Sequence, residues 1–250
     1  SRMLTPEFPY EIVAARWGAD EQSIFAVANM GVHTELFEID VTTMAVTQLT
    51  DGEHAVRSWH YVSSVDQHLI QIDQPNRAGD LWIMDAEIGT VPTRITDVFG
   101  YLARDFKVPR QERIQWTGSD GIVVEGLVFY PIDYEPGRRY PLCVQTHGGP
   151  AASDKFGFQN WLNYVPVLAS LGYVVFKPNY RGSTGYGDPF LRDMVGSYFS
   201  QSHLDVMTGV DHLIAQGLVD PDRMVKMGWS GGGHMTNKVI TFTDRFKAAS

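Results

Sequence analysis

A run of small residues, Gly228-Trp229-Ser230-Gly231-Gly232-Gly233, separates an apolar strand at residues 224–227 from a helix expected over 232–241. This junction constrains the fold more than any other stretch of the chain. A strand that hands over to a helix this abruptly must turn a sharp corner. Glycines on both sides of the serine suit a corner where neighbouring backbone comes too close for a Cβ. Such a Gly-x-Ser-x-Gly corner lifts the serine hydroxyl clear of the carboxyl edge of a sheet. The plainer alternative is a glycine-rich loop whose serine only caps the next helix.

The segments leading to that corner alternate between strand and helix. Residues 114–117 and 123–130 read as a hairpin about Ser119-Asp120-Gly121, with residues suited to a tight turn. Residues 131–139 form a polar loop, and 141–146 a short apolar strand. Residues 160–171 place Trp161, Val165 and Leu168 on one helical face, with Pro166 expected to kink or shorten the helix and Gly172 to end it. Residues 173–176 are a buried strand. Residues 202–216 form an amphipathic helix with Leu204, Met207, Val210 and Ile214 inward, Ser202 as its cap and Gly217 as its stop. Asp220-Pro221 reads as a turn into the strand before Ser230. Strands joined through helices imply a mostly parallel sheet with crossovers.

Residues up to about 109 have a different texture, rich in strands and with no expected helix. Leu36-Phe37-Glu38-Ile39-Asp40, followed by Thr47-Gln48-Leu49-Thr50-Asp51, is echoed by Leu81-Trp82-Ile83-Met84-Asp85 and Thr93-Arg94-Ile95-Thr96-Asp97. Residues 23–27 and 68–72 supply an earlier strand to each unit. A repeat of about 40–50 residues with several short strands per unit is the pattern of β-propeller blades. Two similar hairpins in a small sandwich would be the simpler explanation. Two blades cannot close a ring, so more blades are expected ahead of them. The expected architecture is therefore α/β: the last blades of a β-propeller over residues 1–108, then a partial α/β-hydrolase fold over 109–250.

Bulk properties narrow the partners. The formal net charge is −9 and no basic run interrupts it, which argues against nucleic acid or an anionic membrane. No apolar run approaches the roughly 20 residues of a membrane-spanning helix. The lone Cys143 lies in an apolar strand and reads as a small core residue. No His-Glu-x-x-His or paired-cysteine pattern points to a metal, and no cofactor is expected. His33, His54, His60 and His68 lack ligand spacing. The amino end carries no signal-peptide pattern. The natural start is expected to lie further upstream, leaving cytoplasm, periplasm and secretion all open, along with homo-oligomerisation.

Ser230 is the candidate nucleophile for attack on a carbonyl carbon, and its hydroxyl needs an adjacent base. His147-Gly148-Gly149-Pro150 follows a strand end, where two glycines allow backbone N–H groups to face a developing oxyanion. The N–H of Gly231, just after the serine, is the expected second donor. His147 is misplaced for a base, and His234 points away along its helix. Asp205, Asp211 and Asp244 read as helix-surface or capping residues. Asn179-Tyr180-Arg181-Gly182-Ser183-Thr184-Gly185-Tyr186-Gly187 reads as a scaffold loop in which Arg181 could pair with a carboxylate, and it lacks the pattern of a phosphate loop.

Taken in order, His147-Gly148-Gly149-Pro150, Asn179-Tyr180-Arg181-Gly182-Ser183-Thr184-Gly185-Tyr186-Gly187, Leu218-Val219-Asp220-Pro221-Asp222-Arg223 and Gly228-Trp229-Ser230-Gly231-Gly232-Gly233 resemble the prolyl oligopeptidase family of serine peptidases. The acylaminoacyl-peptidase and dipeptidyl-peptidase branches are the nearest in pattern, and the resemblance is strong over residues 105–250. It implies an acyl-enzyme on Ser230 with a peptide substrate, oxyanion contacts from Gly149 and Gly231, and a propeller that admits short peptides. Two departures stand out. His147 occupies a position where some members carry a tyrosine, and Gly231 stands where the family often has a bulkier residue. The family's aspartate and histidine follow the nucleophile, so they are expected beyond Ser250 and this chain alone is expected to be inactive. An esterase on the same scaffold and a non-catalytic propeller binding module are the rival readings. Residue preference at the scissile bond, and exo- versus endopeptidase action, are not legible.

Overall fold

The computed structural model describes residues 3–149, 151–158 and 164–250. The chain forms two compact units. One gathers Ser1–Phe106, Lys155–Trp161 and Gly185–Gly187; the other gathers Lys107–Asp154, Leu162–Thr184 and Asp188–Ser250.

The first unit holds β1 (Glu11–Trp17), β2 (Ser23–Met30), β3 (His33–Asp40), β4 (Val46–Gln48), β5 (Ala55–Val62), β6 (Gln67–Gln74), β7 (Arg77–Asp85) and β8 (Thr93–Arg94). Strands β1 to β4 form one antiparallel meander and β5 to β8 another, bridged where Thr34 on β3 runs parallel to Ala55 on β5. The sequence repeat falls on β3–β4 and β7–β8, and it repeats hydrogen bonds as well as shape. Thr50 Oγ1 accepts from Leu36 N at 2.9 Å and donates to Glu35 Oε2 at 2.6 Å. Thr96 Oγ1 accepts from Leu81 N at 2.8 Å and donates to Asp80 Oδ1 at 2.9 Å. In each meander a threonine hydroxyl thus satisfies a strand amide and a buried carboxylate together.

Alternating apolar positions place Val27, Leu36, Val56, Ile70, Ile72 and Met84 in one core. His68 is buried among aromatic rings, and Trp59 Nε1 donates to its Nδ1 at 3.2 Å. Burial pushes this imidazole down to about 4, so it is a neutral core residue. Contrary to the sequence expectation, a short helix does follow β8: α1 (Gly100–Asp105). It buries none of its residues. With no apolar face to pack, it left no periodic signal to read.

The second unit is a six-stranded sheet in the order β14-β13-β11-β12-β10-β9. Its strands are β9 (Gln111–Thr117), β10 (Val123–Phe129), β11 (Tyr140–Thr146), β12 (Val174–Asn179), β13 (Val219–Gly228) and β14 (Ala248–Ala249). The hairpin β9–β10 is antiparallel and β10 joins β12 antiparallel, whereas β12, β11, β13 and β14 run parallel. The helices are α2 (Val165–Ser170), α3 (Asp188–Arg192), α4 (Ser202–Ala215) and α5 (Gly231–Phe242).

Three local expectations change. Residues 160–163, including Trp161, lie outside the described residues, and Pro166 occupies the first turn of α2 rather than kinking it. Proline fits there because its missing N–H has no intrahelical acceptor in that turn. Ser202 does not cap α4, since its Oγ donates to Arg181 O at 3.0 Å. The buried face of α4 is Val206, Met207, Val210 and Leu213, with Leu204 and Ile214 half-buried at its margins. Asp220-Pro221 falls inside β13, where the β11–β13 register slips between Tyr140 and Leu142. Around the sheet, Leu142, Val144, Val174, Phe176, Met224 and Val239 are shut from solvent. Each contributes about 1.5–3 kcal/mol by burial.

Strand order alone locates the site. The chain passes from β11 to β12 on one side of β11, then returns to place β13 on the other. The loops after β11 and β13 therefore leave the carboxyl edge where the winding reverses. That is where an open α/β sheet forms a crevice.

Candidate active site

The loop after β13 carries Ser230 at φ 55° and ψ −120°, outside the regions an L-residue ordinarily occupies. Ser230 is exposed and makes no side-chain cap hydrogen bond to α5. That removes the capping explanation for the serine and leaves its hydroxyl standing at the rim of the sheet. Strain of this kind persists only where the surroundings over-determine it. Here the surroundings are tight backbone contacts. A Cβ on Gly228 would stand 2.2 Å from Gly232 O, and one on Gly232 would stand 2.1 Å from Thr146 O. No side chain fits at either position, so the corner presses directly against the end of β11.

The loop after β11 faces the corner. A Cβ built on Gly148 would meet Trp229 O at 2.7 Å, Ser230 Cβ at 3.2 Å and Gly231 N at 3.5 Å. Gly149 follows at φ 124°, a conformation that favours glycine. No hydrogen bond is donated by the N–H of Gly149 or of Gly231 to any acceptor among the described residues. The structure thus brings the His147–Gly149 segment against Ser230 and Gly231. Pro150 of the same motif lies outside the described residues.

The histidines near the corner are otherwise engaged. His147 stacks on Tyr180 with ring centroids 4.6 Å apart and planes 8° apart. Its Nδ1 donates to Gly148 O at 2.8 Å, and its Nε2 lies 2.8 Å from Ser183 Oγ. Tyr180 donates its hydroxyl to His147 O at 2.7 Å, and burial raises the pKa of that phenol. The Tyr180–Ser183 loop is therefore a buttress for the glycine loop. His234 is exposed and edge-on to Tyr198.

Asp205 differs from its sequence reading as a surface or capping residue: it is fully buried and bonded to Arg181. Asp211 and Asp244 are on the surface, and Asp211 pairs with Arg245 at 2.7 Å. Among the described residues no cluster of His, Cys, Asp or Glu could hold a metal ion, and no helix is long and apolar enough to cross a membrane.

Sequence reasoning missed Lys226, Thr146 and Thr236, a polar knot directly beneath the corner. Lys226 Nζ donates to Thr146 Oγ1 at 2.6 Å and Thr236 Oγ1 at 3.0 Å. The available signal was a lysine inside an otherwise apolar strand, since lysine is almost never fully buried without a partner.

Residues 160–250 match the prolyl oligopeptidase family. An uncharacterized peptidase, YuxL, of Bacillus subtilis is 31% identical over 93% of this chain and 35% of its own length. Dipeptidyl-peptidase 5 of Porphyromonas gingivalis is 26% identical over 92% of this chain and 33% of its own. The Pyrococcus horikoshii acylaminoacyl peptidase structure superposes with TM-score 0.82 at 22% identity, covering 98% of this chain and 37% of that one. The chain spans about a third of the length of the curated relatives it matches.

Proposed function

We propose, for a chain that belongs to the prolyl oligopeptidase family of serine peptidases, that Ser230 is the nucleophile and that the protein hydrolyses peptide bonds of oligopeptides through an acyl-enzyme. The observation that carries this reading is the exposed, strained serine packed against the Gly148 backbone, with the N–H groups of Gly149 and Gly231 donating to no acceptor among the described residues. Ser230 Oγ attacks the scissile carbonyl carbon as a base takes its proton. The carbonyl oxygen becomes anionic between the N–H groups of Gly149 and Gly231, each worth roughly 3 kcal/mol in the transition state. Collapse expels the amine, and water then releases the acyl group from Ser230.

Three assignments complete the proposal. The two meanders of the first unit are propeller blades. Residues 109–250 are the nucleophile-bearing part of an α/β-hydrolase domain. The base and its acid partner come from outside these 250 residues, because His147 is occupied at both ring nitrogens and His234 faces solvent beside Tyr198.

A fluorophosphonate probe tests this directly. The 250-residue chain should not label, and the whole protein should label at Ser230. Ser230→Ala in the whole protein should lower turnover of an aminoacyl p-nitroanilide by several orders of magnitude. Retained turnover would place the nucleophile elsewhere. Preference for a p-nitrophenyl ester over the anilide would favour an esterase.

A further inference from the structure

Lys226 is 1% exposed and makes no ion pair among the described residues. Burial pushes its ammonium down to about 7. A lysine held this way carries an electrostatic cost that a methionine of similar length would not. The hydrogen bonds show what it does there.

Its Nζ donates to Thr146 Oγ1 at 2.6 Å, Met227 O at 2.9 Å and Thr236 Oγ1 at 3.0 Å. In its ammonium form Nζ has three donors and no acceptor, and these three partners use them fully. Each hydroxyl then passes its own hydrogen onward to one shared acceptor. Thr146 Oγ1 donates to Gly232 O at 3.0 Å and Thr236 Oγ1 donates to Gly232 O at 2.9 Å. The result is a closed ring from Lys226 through two threonines to one carbonyl. Thr146 is the last residue of β11, immediately before the His147-Gly148-Gly149 loop, and Gly232 lies two residues past Ser230. The ring therefore joins the ends of the two strands whose loops carry the two amides.

We propose that Lys226 is a positioning residue of the oxyanion site, fastening Thr146 to the first turn of α5 and so fixing the N–H of Gly149 relative to that of Gly231. This inference rests on Ser230 being the nucleophile. Lys226 touches neither substrate nor Ser230 Oγ; it acts through Thr146 and Gly232.

The whole protein carrying Lys226→Met tests it by steady-state kinetics on an aminoacyl p-nitroanilide and by hydrogen exchange. The expected result is a kcat about 10- to 100-fold lower with KM within about twofold, because a slack oxyanion site weakens the transition state more than the bound substrate. Peptides covering residues 146–149 and 229–233 should exchange faster. A folded variant with kcat within twofold of wild type overturns the proposal, as does an equal loss confined to KM. Should Lys226→Met fail to fold, Thr146→Val removes one link of the ring and keeps the lysine. The same split in smaller measure is expected, and unchanged kcat overturns the proposal. Turnover that survives Ser230→Ala would instead defeat the nucleophile assignment. The exchange comparison would then decide the fastening on its own: unchanged exchange in both peptides overturns it.

Discussion

Arg181 and Asp205 are locked together inside the second unit, 24 residues apart in sequence. Arg181 Nε reaches Asp205 Oδ2 at 2.9 Å, Nη2 reaches Oδ1 at 2.7 Å, and the Arg181 main-chain N–H donates to Oδ2 at 2.9 Å. Arg181 is 2% exposed and Asp205 0%. Burial raises the Asp205 carboxyl from its usual range against the pull of Arg181, whose own pKa is raised by the pair. Removing the carboxylate strands a buried guanidinium. Asp205→Ala should therefore lower unfolding stability by about 3–5 kcal/mol. Asp120, the guanidinium's other carboxylate partner, is 43% exposed at its side chain. Asp120→Ala should cost less than about 1 kcal/mol. Urea denaturation of the two variants checks the contrast, and equal losses would contradict it.

The corner makes a second prediction from steric contact alone. Gly232 lies with its missing Cβ 2.1 Å from Thr146 O and 2.9 Å from His147 O, whereas the neighbouring Gly233 has its nearest contact at 3.6 Å, to Gly228 O. Gly232→Ala must push the end of β11 away. It should cost about 1–3 kcal/mol, and it should slow fluorophosphonate labelling of Ser230 in the whole protein. Gly233→Ala adds an unhindered methyl group within a helix. It should leave labelling intact and stabilise by up to about 1 kcal/mol. Thermal melts alongside labelling rates separate the two variants.

What was legible in the sequence was whatever depends on near neighbours. The corner at Ser230 announced itself because its glycines are local requirements, met within six residues. The meanders showed because Leu36–Asp40 with Thr47–Asp51 recurs as Leu81–Asp85 with Thr93–Asp97, whereas the pairings of Glu35 with Thr50 and Asp80 with Thr96 were not read there. Ser202 was misread because a serine at a helix start looks like a cap, while its acceptor, Arg181 O, is 21 residues away. Asp205 was misread for the same reason, on a helix whose other faces gave no hint of a buried cation. Lys226 carried a weak flag as a charge in an apolar strand, but its acceptor Thr146 is 80 residues distant and joins it only once β11 and β13 lie side by side.

Lys226 also gives the second unit a pH dependence whose sign can be worked out. Its folded value is about 7, against 10.5 for a free lysine. Between those values the unfolded chain binds more protons than the folded one. Stability therefore rises with pH through that window and loses this contribution as pH falls toward 7. The titratable group that bears on it electrostatically is the Cys143 thiol of β11, itself pushed up to about 11 by burial. That thiol acts in the opposite sense, because the unfolded chain sheds its proton first above about pH 8.5. The clean window is thus pH 7 to about 8.5. Across it, wild type should gain about 1–2 kcal/mol of unfolding stability relative to Lys226→Met. Parallel slopes for the two proteins in urea titrations across that range would show that the lysine keeps its charge throughout, held by the hydroxyls of Thr146 and Thr236.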